Sequence, residues 1–110
     1  MAAEEIFQLC SLASVSGNSD AFALPGWRMV LGPIAVQIYT TQATAFVGTV
    51  KLQGTIASAD EITANTAHWS DIDGASWTTE TIDALFAKTP YIRASIATYT
   101  SGQISVRMAY

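Results

Sequence analysis

Thr89 to Tyr110 reads TPYIRASIATYTSGQISVRMAY, and the reading of this stretch decides the fold class. Ile92, Ala94 and Ile96 fall at alternate positions, which puts them on one face of a β-strand with Tyr91, Arg93 and Ser95 on the other. Thr100-Ser101-Gly102-Gln103 supplies a turn, after which Ile104, Val106 and Met108 alternate with Ser105, Arg107 and Ala109. The spacing predicts a β-hairpin whose strands each carry an apolar face. A hairpin alone is marginally stable in water, so the rest of the chain has to supply further strands and a second apolar layer.

Upstream, Val50, Leu52 and Ile56 alternate with Lys51, Gln53 and Thr55, and Ile34, Val36 and Ile38 share one face of a second clear strand. Trp27 to Leu31 reads as extended, broken from Ile34 by Gly32-Pro33, which predicts a bulge or a crossing between sheets. Asp20 to Leu24 is a short strand with Phe22 and Leu24 on one side, stopped by Pro25-Gly26. His68 to Ile72 and Ser76 to Thr81 read as short extended pieces around the Asp73-Gly74 turn signal. Ala57 to Ala67 has no period and reads as a surface loop, with room for one helical turn over Asp60 to Ala64. Ile82, Leu85 and Phe86 have helical spacing, which predicts a short helix over residues 80–88 that ends before Pro90. In Glu4 to Ala13, Ile6, Leu9, Cys10 and Ala13 fit a helical face while Phe7 and Leu9 fit a strand; the β context favours the strand. Short strands divided by Gly, Pro, Asn and Ser turns describe an all-β chain, an antiparallel two-sheet β-sandwich. A jelly roll is one arrangement of its strands, and barrel closure is the alternative.

A chain of 110 residues is one domain's worth, so residues 1–110 are read as a single sandwich with at most one short helix. Half the residues are hydrophobic and only 13% are charged, too few charges to coat a free monomer in the usual way, which implies that some surface is covered by a partner. The net charge of −4 and the scatter of the five basic residues argue against nucleic acid as a partner. No run approaches the ~20 apolar residues that cross a bilayer. Met1-Ala2-Ala3-Glu4-Glu5 carries acid where a signal peptide carries base, so the expectation is a protein kept in the cytosol until assembly, away from membranes.

Chemistry is sparse. His68 is the sole histidine, and no GxSxG elbow surrounds any serine that it would activate, so it reads as a surface or interface residue. Cys10, the only cysteine, reads as a small hydrophobe, with no disulfide and no zinc cluster available to it. Asp71 and Asp73, with Asp60 and Glu61, are oxygen ligands of the kind calcium takes, but the EF-hand spacing is absent and Asp-x-Asp-Gly is also good turn chemistry. No catalytic residue, metal or cofactor is therefore expected. Trp27, Trp69, Trp77, Tyr39, Tyr91 and Tyr99 are either core fillers or the anchors of a binding surface, and most are expected in the core. Arg93 is expected to pair with a carboxylate such as Asp71 or Glu80, or to stack on an aromatic ring.

Three pieces together resemble a pattern of small β-sandwich virion structural proteins of tailed bacteriophages, which serve as capsid decoration or cement subunits and as tail modules. They are Thr49-Val50-Lys51-Leu52-Gln53-Gly54, a Trp-centred segment, and Pro90-Tyr91-Ile92-Arg93-Ala94 leading through Tyr99-Thr100-Ser101-Gly102 into the final strand. Ser19 to Gly26 is a weaker match. The pattern runs quickly from its first piece into Asp-Gly-x-x-Trp; here a longer loop intervenes, and either His68-Trp69-Ser70-Asp71 or Asp73-Gly74-Ala75-Ser76-Trp77 takes that place. These are framework motifs, so the resemblance implies a fold and a virion setting and carries over no catalytic residue. It implies a non-enzymatic capsid decoration subunit, assembled in the host cytoplasm, with the major capsid protein or other virion subunits as partners and further copies of itself on the particle. Similar Trp and Tyr-Ile-Arg patterns in carbohydrate-binding sandwiches keep open the alternative, a tail-associated or glycan-binding module. The candidate interface residues are Ile6, Phe7 and Leu9, in a segment (1–13) that is either a contacting arm or an edge strand, together with Trp69 and Trp77.

Overall fold

A computed structural model describes residues 6–13, 16–24, 33–86 and 89–109. The expected extended stretch at Trp27 to Leu31 and the break at Gly32-Pro33 lie outside the described residues, apart from Pro33. The strands are β1 (Ile6–Ala13), β2 (Gly17–Asn18), β3 (Phe22–Ala23), β4 (Ile34–Tyr39), β5 (Val47–Thr55), β6 (Ser70–Trp77), β7 (Thr81–Leu85), β8 (Tyr91–Ser101) and β9 (Ile104–Ala109), with one helix, α1 (Ala59–Ala64). Sheet A has the order β1-β9-β4-β7. In sheet B the order is β2-β8-β5-β6, with β3 also pairing β8, and every pairing is antiparallel.

β2 and β3 act as one interrupted edge strand. Between them the Ser19 N–H donates to the Ala94 carbonyl at 2.8 Å, and Ser19 Oγ accepts from the Ala94 N–H at 2.9 Å. Counted so, the first strand pairs with the last, the second with the next to last, β4 with β7, and β5 with β6. This is the pairing of a jelly roll, a long double strand wrapped into two sheets.

The alternating positions read from the sequence form the core. Ile34, Val36 and Ile38 on β4, with Ile104, Val106 and Met108 beside them on β9, face Val50, Leu52, Ile92, Ala94 and Ile96 of sheet B across the sandwich, all buried. Each such side chain, where it is a full Val, Leu or Ile, contributes about 1.5–3 kcal/mol of burial. Ile56 departs from the pattern: it follows the last residue of β5 and is 83% exposed. Thr55 ends the strand, with Oγ1 donating to the His68 carbonyl at 2.7 Å.

Two expectations need correction. The terminal strands do not form a hairpin, because β8 belongs to sheet B and β9 to sheet A. Their apolar faces meet across the core instead of lying side by side. Gly102, with φ +92, carries the chain between sheets, and Tyr99 Oη ties the turn by donating to the Gly102 carbonyl at 2.7 Å. A Cβ at position 102 would stand 2.6 Å from the Phe46 Cα, so glycine is required there both by φ and by space.

The single short helix exists but is not at residues 80–88, where β7 forms instead, in register with β4 from Ile34↔Leu85 to Ile38↔Thr81. It is α1, the turn placed over Asp60 to Ala64. Ser58 Oγ accepts from the Glu61 N–H at 3.2 Å while Glu61 accepts from the Ser58 N–H at 3.1 Å, a capping box, and Asn65 closes the helix with φ 58.

Candidate functional site

The outer face of sheet B carries a polar row across three strands. The register sets Gln53 on β5 opposite both Arg93 on β8 and Asp71 on β6. Arg93 Nε donates to Gln53 Oε1 at 2.8 Å, Gln53 Nε2 donates to Asp71 Oδ1 at 2.9 Å, and Lys51 Nζ lies 3.2 Å from Asp71 Oδ2. The Gln53 and Lys51 hydrogen bonds hold the Asp71 carboxyl below its usual range. The Arg93 guanidinium lies over Trp69, 4.4 Å from the ring centroid, so the stacking expected of Arg93 is present and its link to Asp71 runs through Gln53. Beside this pair opens a groove of about 480 Å³ walled by residues 18–21 and by the end of α1, with Asn65 and Ala67.

Sheet A presents a different outer face. At the β1 side Tyr39 Oη accepts from Arg107 Nη2 at 2.6 Å and donates to Gln8 Oε1 at 3.2 Å, while the guanidinium covers the Tyr39 ring. The Arg107 hydrogen bond lowers the Tyr39 pKa below its usual value. Toward β7 the face becomes more apolar. Ala35, Ala109 and Ile82, with Gln37 and Arg107, line a shallow trough of about 210 Å³, and Ile82 and Phe86 are 72% and 74% exposed.

No family model matches the sequence, and no curated protein or solved structure does.

The candidate interface residues separate. Trp69 is half-buried and lines the groove. Trp77 is a core residue, 8% exposed, with Nε1 donating to Asp83 Oδ2 at 3.1 Å, and Leu9 is buried at 9%, so neither offers a surface on the isolated chain. Ile6 and Phe7 stand opposite Ala109 and Met108 in the register of β1 with β9; residues 6–13 are thus an edge strand and not a free arm. Cys10 stands opposite Val106 in the same ladder.

The acidic residues weighed for calcium are dispersed into local roles: Asp71 in the sheet B row and Glu61 in the capping box. Among the described residues no group of three or more His, Cys, Asp or Glu side chains is placed to hold a metal ion. His68 is exposed, and its carbonyl is occupied by Thr55.

Nothing in the sequence pattern singles out Asn18, Asp20 and Asn65, which come together only through the fold, or Ile82 and Phe86, whose spacing with Leu85 reads as helical. For the last two a signal was available. Ile82, Ala84 and Phe86 alternate, and a strand reading puts all three on one face.

Proposed function

We propose that this chain is a non-enzymatic structural protein of a tailed-bacteriophage virion, a decoration or cement subunit that binds and stabilises the capsid shell. The observation that supports it is the pair of exposed apolar side chains at the β7 edge of sheet A, Ile82 and Phe86, 72% and 74% exposed, beside a trough that Ala35 and Ala109 line together with Gln37 and Arg107. Exposed large apolar side chains close together at one sheet edge cost solubility in a free monomer and are stabilised by a partner surface. The low charge of the chain fits the same reading. Its partners are the major capsid protein or other shell subunits, with many copies around the particle. One such contact is small, and repetition on a symmetric shell raises net attachment through effective concentration.

Purified protein mixed with undecorated particles of its own virus should bind to saturation at a copy number set by the shell's symmetry. It should also raise the particle's disruption temperature, since a ligand specific for the assembled state stabilises it by mass action. Protein that ignores the shell, at concentrations where it is folded, overturns the proposal; binding to tail assemblies in place of the shell makes it a tail module.

A further inference from the structure

We propose that the groove beside Trp69 on sheet B binds a uronate ring, the carboxylate-bearing sugar of an acidic glycan, with Arg93 as the carboxylate receptor. The inference stands on the groove alone, whether or not the other face of the protein meets a shell.

Arg93 is fixed before any ligand arrives. Its Nε is committed to Gln53, Gln53 is anchored by Asp71, and the guanidinium plane rests on Trp69 at 4.4 Å. Neither Nη group has a hydrogen-bond partner among the described residues, and the ion pair found among them joins Lys51 to Asp71, leaving Arg93 without a carboxylate. Burial lowers the Arg93 pKa from its ordinary value, a sign that its water has been partly removed. A planar guanidinium in that condition, on a residue that lines a groove, matches a carboxylate better than any neutral group.

The rest of the lining selects what carries the carboxylate. Asn18, Asp20 and Asn65 bring amide donors and acceptors and one carboxylate acceptor, the complement of a ring with several hydroxyls, and the uncovered part of the Trp69 indole offers an apolar surface to ring C–H groups. About 480 Å³ lies inside the range of roughly 300–1,000 Å³ typical of small-ligand sites. A polyphosphate chain is disfavoured by the net charge of −4 and the five scattered basic residues.

The test is calorimetric titration of the full chain with a short oligogalacturonate, with its methyl ester, and with inorganic phosphate. Saturable binding of the oligogalacturonate is expected, with the ester at least about tenfold weaker, because esterification removes the charge and keeps the ring and hydroxyls. Arg93→Lys keeps the charge, loses the fork and should weaken binding about tenfold. Asn65→Gly keeps a residue suited to positive φ and removes one amide, so it should weaken binding a few-fold at unchanged fold. Asp20→Asn keeps an acceptor and removes a like charge, so it should tighten binding of the acid and leave the ester unaffected. The last two variants carry the test if Arg93→Lys does not fold. Absence of saturable binding, equal affinity for acid and ester, or phosphate binding as tight as the oligogalacturonate would each overturn the proposal.

Discussion

Asp83 links two parts of the sandwich rim through one carboxylate. It accepts from Trp77 Nε1 at 3.1 Å and from the Ala84 N–H at 2.8 Å, and these bonds, the Trp77 one first, hold its pKa below the ordinary 3.8. A carboxyl with a depressed folded pKa binds fewer protons folded than unfolded, so its contribution is complete above the ordinary value and is lost as pH falls through the folded one. Asp83→Asn should therefore flatten the acid limb of the stability profile below about pH 4 relative to the wild type, measured by urea unfolding at a series of pH values. Core residues behave more simply. Ile96 is 5% exposed, and Ile96→Ala should cost about 2–5 kcal/mol by leaving a cavity. Ser105, on the other side of its strand, looks from alternation like a surface position where alanine is harmless. It is in fact 1% exposed, and its hydroxyl bonds Tyr39, so Ser105→Ala should cost about 1 kcal/mol in the same measurement. Period-2 reading finds the face a residue is on, but whether that face is solvated depends on which long side chains, here Tyr39 and Arg107, lie across it.

At the scale of elements, the sequence identifies strands far better than their neighbours. The apolar faces at Ile92 to Ile96, Ile104 to Met108 and Ile34 to Ile38 are all buried as their spacing requires. The same spacing is silent on hydrogen-bond partners, because a strand followed by a tight turn and another strand is equally a hairpin or a crossing between sheets. Here β1 and β4 take the two edges of β9, and β2 and β5 the two edges of β8, so β8 and β9 have no edge left for each other and end up in opposite sheets. For β7 the helical spacing of Ile82, Leu85 and Phe86 misled because only Leu85 of the three is buried; the docking of Thr81–Leu85 along β4 overrode it. The crossing has a testable hinge. Gly102→Ala would place a methyl against Phe46 at a φ of +92 and should cost more than about 1 kcal/mol in thermal or urea unfolding. Removal of residues 1–13 is a second test at this scale. It would strip β1 from β9 and open the ladder at the heart of the terminal pairing, so the truncated chain should lose cooperative unfolding and aggregate through the exposed edge, as read by light scattering.

For the whole molecule the consequence of two packed sheets is two outward faces that point in opposite directions. One ends in the apolar strip of Ile82 and Phe86, and the other holds the Arg93 groove. None of this division is legible in the chain order, since both faces are assembled from strands far apart in sequence and the groove needs the helix end at Asn65 beside β8. The arrangement makes the two proposals separable. Ile82→Ser with Phe86→Ser changes side chains that are already in water, so the double variant should keep its melting temperature within the spread usual for surface changes, about 0.5 kcal/mol in stability. Attachment to undecorated particles should nevertheless fall steeply, because a modest loss per contact is multiplied over a repeated array. Arg93→Lys, on the opposite face, should leave attachment unchanged. Co-sedimentation with particles across a protein concentration series reads all three proteins side by side. Should the double variant attach as well as the wild type, the sheet A strip is not the contact; if Arg93→Lys alone loses attachment, the groove faces the shell and the assignment of the two faces is reversed.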